Sequence, residues 1–262
     1  MYSKSLETNF LEMKKNSEIF DINCWMTYYK DELLEDVHPE PEQYFAEGVN
    51  RMVLAHSRCK TEDFALANKA LFEKVATDDR FYASPIVVPE MNLAGNKIST
   101  TIDEFIGKKA VIFRIFPKAL KHSMKKWQMG NIFSAMEERR IPLMVWHTQI
   151  EWDTLAEIAE QYPNLPIILE GSDQKTIYYA RDIMGICERY KNIYLEMHNY
   201  TQYKFLPYAL EHIGAERMLF GSFSPYNDMN GVLYMIAQHT NEAQRELILS
   251  KNFERLMGEI KK

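Results

Sequence analysis

The chain has 262 residues, 46% of them hydrophobic and 26% charged, a balance ordinary for a globular protein of one large domain or two small ones. Its formal net charge is −6, and its lysine pairs Lys14-Lys15, Lys108-Lys109 and Lys125-Lys126 are scattered, so the clustered positive charge that a phosphate backbone demands is missing. Three cysteines, Cys24, Cys59 and Cys187, fall in neither CxxC nor CxC spacing, the N-terminal stretch lacks an apolar signal core, and the apolar runs stop far short of the ~20 residues of a membrane span. The expectation is one soluble cytoplasmic domain over 1–262, with no nucleic-acid and no membrane partner.

Short strand-like runs alternate with longer helical stretches. Residues 19–23 (IFDIN) and 51–56 (RMVLAH) open the series, and a helix over 62–76 carries Phe64, Leu66, Ala67, Ala70, Leu71 and Val75. Strands at 81–88 (FYASPIVV) and 109–116 (KAVIFRIF) follow, with only IDEFIG (102–107) offering a helix between them. The segment after 116, with His122 and Lys125-Lys126, reads as a loop over the end of the strands, and Glu137 to Arg140 as a solvated helix face. After a strand at 142–147 (PLMVWH), Trp152, Leu155, Ile158, Ala159 and Tyr162 share a helix face that Pro163 ends. A strand at 165–170 (LPIILE) leads to a helix over 174–190 with the stripe Ile177, Ala180, Met184 and Cys187, capped by Ser172 or Asp173. A strand at 192–198 (NIYLEMH), a helix over 203–213 closed by Gly214, a strand at 217–222 (RMLFGS) and a last helix over 242–259 complete the chain.

Several of these runs are almost continuously apolar, as strands buried on both faces must be. Eight strands, each followed by a helical or partly helical stretch, in about 250 residues predict an α/β fold of the (β/α)8 TIM-barrel class. An open doubly wound sheet would call for a glycine-rich phosphate turn after an early strand, and neither GxGxxG nor a Walker-type loop is present.

Active sites of such barrels lie at the C-terminal ends of the strands. That rule nominates Asp21, Asn23 and Trp25; His56 and Ser57; Arg114 and Phe116; Trp146 and His147; Glu170; Glu196 and His198; and Ser222 and Phe223. A purely apolar packed core has no need of three histidines, two glutamates and an arginine at strand ends. Trp25, Trp146 and Trp152, with Tyr28 and Tyr29, read as rim packing, with an aromatic-walled pocket for a sugar ring or planar acid as the alternative.

RIPLMVWH (140–147), LAEIAEQYPNLPIILEG (155–171), KNIYLEM (191–197), IGAERMLFGSFSPYND (213–228) and ILSKNFERLMG (248–258) together resemble the amidohydrolase-related family, the metal-dependent hydrolases and decarboxylases of the amidohydrolase superfamily. RIFPKA (114–119) and AHS (55–57) are similar to its fourth-strand and second-strand elements. The resemblance implies a TIM barrel whose metal would sit on a first-strand His-x-His, a histidine on each of the fifth and sixth strands and an aspartate on the eighth. This sequence has Asn23-Cys24-Trp25, His147, Glu170 and Phe223 at those places, so His147 alone is kept.

Three expectations follow. The first is a hydrolase or lyase acting on a small organic acid, lactone or amide without the usual metal centre. His147 or Glu170 would be its general acid or base, and Arg114 would hold a substrate carboxylate, with Asn23, Trp25, His56, His198 and Ser222 also contacting substrate. The second is a metal-dependent hydrolase with rearranged ligands, a divalent ion such as zinc on His147, Glu170 and His198. The third is an inactive barrel that binds a small molecule or a partner. A homodimer is a further expectation.

Overall fold

The computed structural model describes residues 4–26, 40–60, 63–92, 97–171, 176–202 and 204–261. Tyr28 and Tyr29, and the candidate caps Ser172 and Asp173, lie outside the described residues.

Eight parallel strands close into a barrel. They are β1 (Phe20–Met26), β2 (Arg51–His56), β3 (Phe81–Ala83), β4 (Phe113–Ile115), β5 (Leu143–Trp146), β6 (Ile167–Glu170), β7 (Ile193–Glu196) and β8 (Met218–Leu219). Pairing runs β1-β2-β3 and β4-β5-β6-β7-β8, all parallel. Two seams join these runs into a ring. At the first, Ala83 pairs with Ala110 and Ile86 with Arg114, the Ala83 amide donating to the Lys109 carbonyl and the Arg114 amide to that of Pro85. At the second, the Ile22 amide donates to the Phe220 carbonyl at 3.1 Å and the Trp25 amide to that of Ser224 at 2.8 Å.

The third strand is shorter than its apolar run. Pro85 has no amide hydrogen to give a ladder, so regular pairing stops at Ala83 and the chain continues to Val88 as buried extended backbone. Asn68 takes over where the ladder stops. Its side chain donates to the Ile86 carbonyl at 2.9 Å and accepts the Ile86 amide at 3.0 Å.

The helices form the outer layer: α1 (Lys4–Asn16), α2 (Gln43–Ala46), α3 (Phe64–Val75), α4 (Ile98–Gly107), α5 (Lys126–Arg139), α6 (Trp152–Gln161), α7 (Ala180–Arg189), α8 (Phe205–His212), α9 (Met229–His239), α10 (Glu242–Glu246) and α11 (Asn252–Gly258). Local chemistry sets their ends. Asp63 caps α3 by accepting the amides of Ala65 and Leu66, and Asn241 with Gln244 forms a reciprocal capping box on α10. After α8, Gly214 turns at φ +90°, a conformation that glycine adopts without steric cost, and its amide returns to the Ala209 carbonyl.

The helices α1, α2 and α9 were not anticipated. α1 packs on α9, with Phe10 against Tyr234 at 5.5 Å and Lys14 donating to Asn230. α5 starts at Lys126 and takes in the helix face expected at 137–139, and the segment before it, 116–125, is free of regular helix or strand, with His122 half-buried in it. Ile177, expected on a buried stripe, stands exposed on a 3-10 turn that precedes α7.

Asn68 lies on α3 but supports the junction between β3 and β4. Asn68→Ala strands one buried amide and one buried carbonyl, and chemical denaturation should show a loss of about 2 kcal/mol or more in unfolding free energy.

Candidate functional site

Strand alternation decides what reaches the barrel axis. Ile112, Met144, Ile168 and Tyr194 pack with Phe20, Ile22, Val53 and Leu219 in one interior cluster, closed below by Phe253 and Leu256 of α11. Two residues further along the same chain segments stand Arg114, Trp146, Glu170 and Glu196. A period of two carries these side chains to the same axis, one layer nearer the C-terminal ends. By the same count β1 would contribute Cys24. Its register slips between Asp21 and Cys24, and Asn23 and Trp25 face the axis instead. Asp21 stabilises the slip, accepting the amides of Asn23 and Ser222 at 3.0 Å each and the Cys24 thiol at 3.1 Å.

The result is one continuous buried polar network. The Arg114 guanidinium, 1% exposed, donates through Nε to Ser84 Oγ at 3.1 Å, through Nη1 to Glu170 Oε2 at 2.6 Å and through Nη2 to Asn23 Oδ1 at 2.8 Å. Asn23 Oδ1 also accepts Trp25 Nε1 at 3.0 Å, and Asn23 Nδ2 donates to Glu196 Oε2 at 3.2 Å. Glu196 Oε2 receives His198 Nδ1 at 2.5 Å, while its Oε1 accepts the His198 amide at 2.9 Å.

Gly221 makes room for this network. A methyl group there would overlap the Glu196 carboxylate and Cβ of Asn23.

Burial dominates the electrostatics. It pushes the Glu196 carboxyl up from its ordinary value, against the pull of His198. Burial alone would lower His198, but the charge and hydrogen bond of Glu196, with Glu170 behind it, win and raise it. Burial, reinforced by Asp21, keeps the Cys24 thiol protonated.

An aromatic layer covers the network. Trp25 lies 6.0 Å from Trp146, 6.3 Å from Phe116 and 5.9 Å from Phe223, ring centre to ring centre. Phe223 adopts the left-handed conformation at φ +58° and stacks on His198 at 4.6 Å. Lys60 sets its ammonium 4.1 Å from the Trp146 ring centre, 5.3 Å from that of Trp25 and 5.8 Å from that of Phe116, at cation–π distance.

Of the residues nominated from sequence, Asn23, Trp25, Arg114, Glu170 and His198 are therefore brought together. Ser222 sits at the β1–β8 seam, where its hydroxyl accepts the Ser224 amide. His56 stands at the end of β2, its Nδ1 accepting the Arg58 amide at 3.2 Å. His147 begins the 3-10 turn after β5, next to the inward Trp146, and packs edge-on against Tyr179 at 5.0 Å. The residue is 3% exposed, and neither ring nitrogen makes a hydrogen bond of good geometry. Burial lowers its proton affinity, opposed by the Glu170 backbone and carboxylate nearby. Trp152, grouped from sequence with Trp25 and Trp146, lies instead against Tyr179. Sequence reasoning underused Glu196 and Trp146 and missed Lys60. The two-residue offset from Tyr194 and Met144 was the available signal for the first two, and Lys60 carried none.

Among the described residues, Glu170, Glu196 and His198 offer one ligand atom each within 4.8 Å of one another. This donor set does not fit a resident metal centre. Arg114 holds a fixed positive charge on one Glu170 oxygen, both Glu196 oxygens already accept hydrogen bonds, and Trp25 and Phe223 supply rings where ligands would be needed.

A family model described as amidohydrolase matches residues 26–258. Among solved structures, a putative amidohydrolase from Staphylococcus aureus superposes with a TM-score of 0.70 at 13% identity, covering 92% of this chain and 99% of that one. A 2,6-dihydroxybenzoate decarboxylase from Rhizobium gives 0.65 at 15% identity, covering 92% and 99%. A putative 2-pyrone-4,6-dicarboxylic acid hydrolase from Pseudomonas putida gives 0.65 at 13% identity, covering 94% and 99%. These likenesses show the TIM-barrel fold. No curated protein matches the chain.

Two outcomes follow from the geometry. Gly221→Ala should push Glu196 off Asn23 and His198, lowering the melting temperature by several degrees, whereas Gly258→Ala, where a methyl meets open space, should leave it within about a degree. Because the folded-state affinity of His198 for its proton is raised, its contribution to stability is complete below the ordinary imidazole value near 6.5 and is lost as pH rises through the raised value. Denaturation at a series of pH values should show that decline in the native chain and a flatter curve in His198→Gln.

Proposed function

We infer that this chain, which belongs to the amidohydrolase family, is a hydrolase or lyase of small organic acids, lactones or amides that works without the family's usual metal centre, with His147 as its proton-transfer group. The observation that carries the reading is His147 itself. A buried imidazole with no hydrogen bond of good geometry on either nitrogen is costly to keep, and it stands at the strand ends where barrel chemistry occurs, within electrostatic reach of Glu170 and His198. Lowered by burial, it is neutral at pH 7 and able to accept a proton from an attacking water or from a substrate. Arg114 is committed to Glu170, Asn23 and Ser84, so its part is to fix Glu170 rather than to grip a substrate carboxylate. Lys60, against the aromatic layer, is the better-placed cation for an acid group on a planar ring. The structures compared above include proteins described as acting on such ring acids.

A second reading, a barrel that binds without turnover, is favoured by one observation: Arg114, Asn23, Glu170, Glu196 and His198 satisfy one another. Among the described residues no helix is long and apolar enough to cross a membrane. Three buried free cysteines support placing the protein in a reducing compartment such as the cytoplasm.

A panel of ring carboxylic acids, lactones and amides separates the two readings. The expected result is turnover of at least one compound, a loss of about 10²–10⁴-fold in kcat/KM for His147→Gln, and an acid limb of the pH profile below 6.5 that this variant abolishes. Binding of a panel compound with no turnover would select the second reading, and full activity in His147→Gln would remove His147 from the first.

A further inference from the structure

We propose that Arg114 is a built-in cation that blocks a latent divalent-metal site on Glu170, Glu196 and His198, and that removing its charge opens that site. All three side chains are buried, at 0%, 0% and 3% exposure, on adjacent strands β6 and β7 and the residues just beyond. Their ligand atoms lie within 4.8 Å of one another, near enough for one divalent ion between them to take nitrogen and carboxylate ligands at its bond lengths of about 2.0–2.2 Å. Two carboxylates buried side by side need positive charge between or beside them. The native chain supplies it with a guanidinium, Nη1 to Glu170 Oε2 at 2.6 Å, and links that guanidinium to Glu196 through Asn23.

A free ion and this guanidinium compete for the same electrostatic role. The guanidinium belongs to the chain and loses no translational freedom on taking its place, whereas an ion must be drawn from solution and stripped of water. It also holds the Glu170 oxygen that a bound ion would need. With the charge gone and the stem kept, Glu170 loses the guanidinium bonded to it, and a divalent ion on Glu170, Glu196 and a nitrogen of His198, which gives up its proton on binding, takes over that charge.

The test uses the intact chain, zinc or cobalt as the probe, and a count of metal after desalting. The wild type is expected to retain none. Arg114→Met is expected to retain about one ion per chain, with a melting temperature that rises with metal concentration, as binding to the folded state alone requires. Arg114→Lys, which keeps a cation, should behave as wild type, and Arg114→Met combined with Glu196→Gln should lose the ion. If Arg114→Met does not fold by itself, refolding of it or of Arg114→Gln in zinc supports the site, and failure of both to recover overturns it. So does a folded Arg114→Met that binds nothing, or a wild type that binds one ion and loses it in Glu196→Gln. Cobalt adds an optical readout: ligand-field absorption appears only if the ion leaves its water shell for protein donors.

Discussion

Arg114 is a full positive charge at the centre of an apolar barrel, and the organisation of the strand ends follows from keeping it there. An isolated buried cation is untenable, so its hydrogen-bond donors must meet acceptors. Ser84, Glu170 and Asn23 come from three other parts of the ring, after β3, on β6 and on β1. Each is placed by a separate device. Pro85 ends regular pairing right after Ser84, strand period carries Glu170 inward, and the register slip in β1 turns Asn23 toward the axis. The network therefore ties the two runs of strands across the barrel as well as around it.

Charge and shape are settled at different levels. The lower interior is ordinary packing of Phe20, Ile22, Val53, Ile112, Met144 and Ile168 and would tolerate changes of similar volume. One layer up, the polar side chains depend on one another, some across several strands as Arg114 does on Asn23 and Glu170, and a change in one leaves others unpaired. Phe223, held at positive φ and stacked on His198, belongs to this upper level even though it is apolar, because it sets how far the imidazole can turn.

Much of the fold was legible in the sequence. Continuous apolar runs such as LPIILE and NIYLEM became β6 and β7, and Gly214 marked the end of α8 as its chemistry requires. The helices α1, α2 and α9 escaped notice, and of α5 only the end at 137–139 was read as helical. The site was legible in part. Position on strand ends picked out Arg114, Glu170 and His198, which the structure brings together, but it could not say that Arg114 and Glu170 bond each other, since that depends on distances across the ring. Nor could it separate Trp146 from His147: β5 ends at Trp146 and His147 opens the 3-10 turn that follows, so strand alternation places the tryptophan on the axis and no longer sets the direction of the histidine. The slip in β1 was invisible for a related reason: it changes which of Asn23 and Cys24 faces inward without changing a letter of the sequence.

The aromatic layer gives the protein an intrinsic optical probe of its own interior. Trp25 and Trp146 are buried with their ring centres 6.0 Å apart and their planes 63° apart, close enough for their electronic transitions to couple, while Trp127 stands in solvent. The near-ultraviolet circular dichroism of the chain is thus weighted toward the strand ends rather than averaged over the molecule. Any event that moves Lys60, turns Phe223 or rearranges the Asn23 side chain that holds the Trp25 indole registers there first, without a label and before the far-ultraviolet signal of the helices changes.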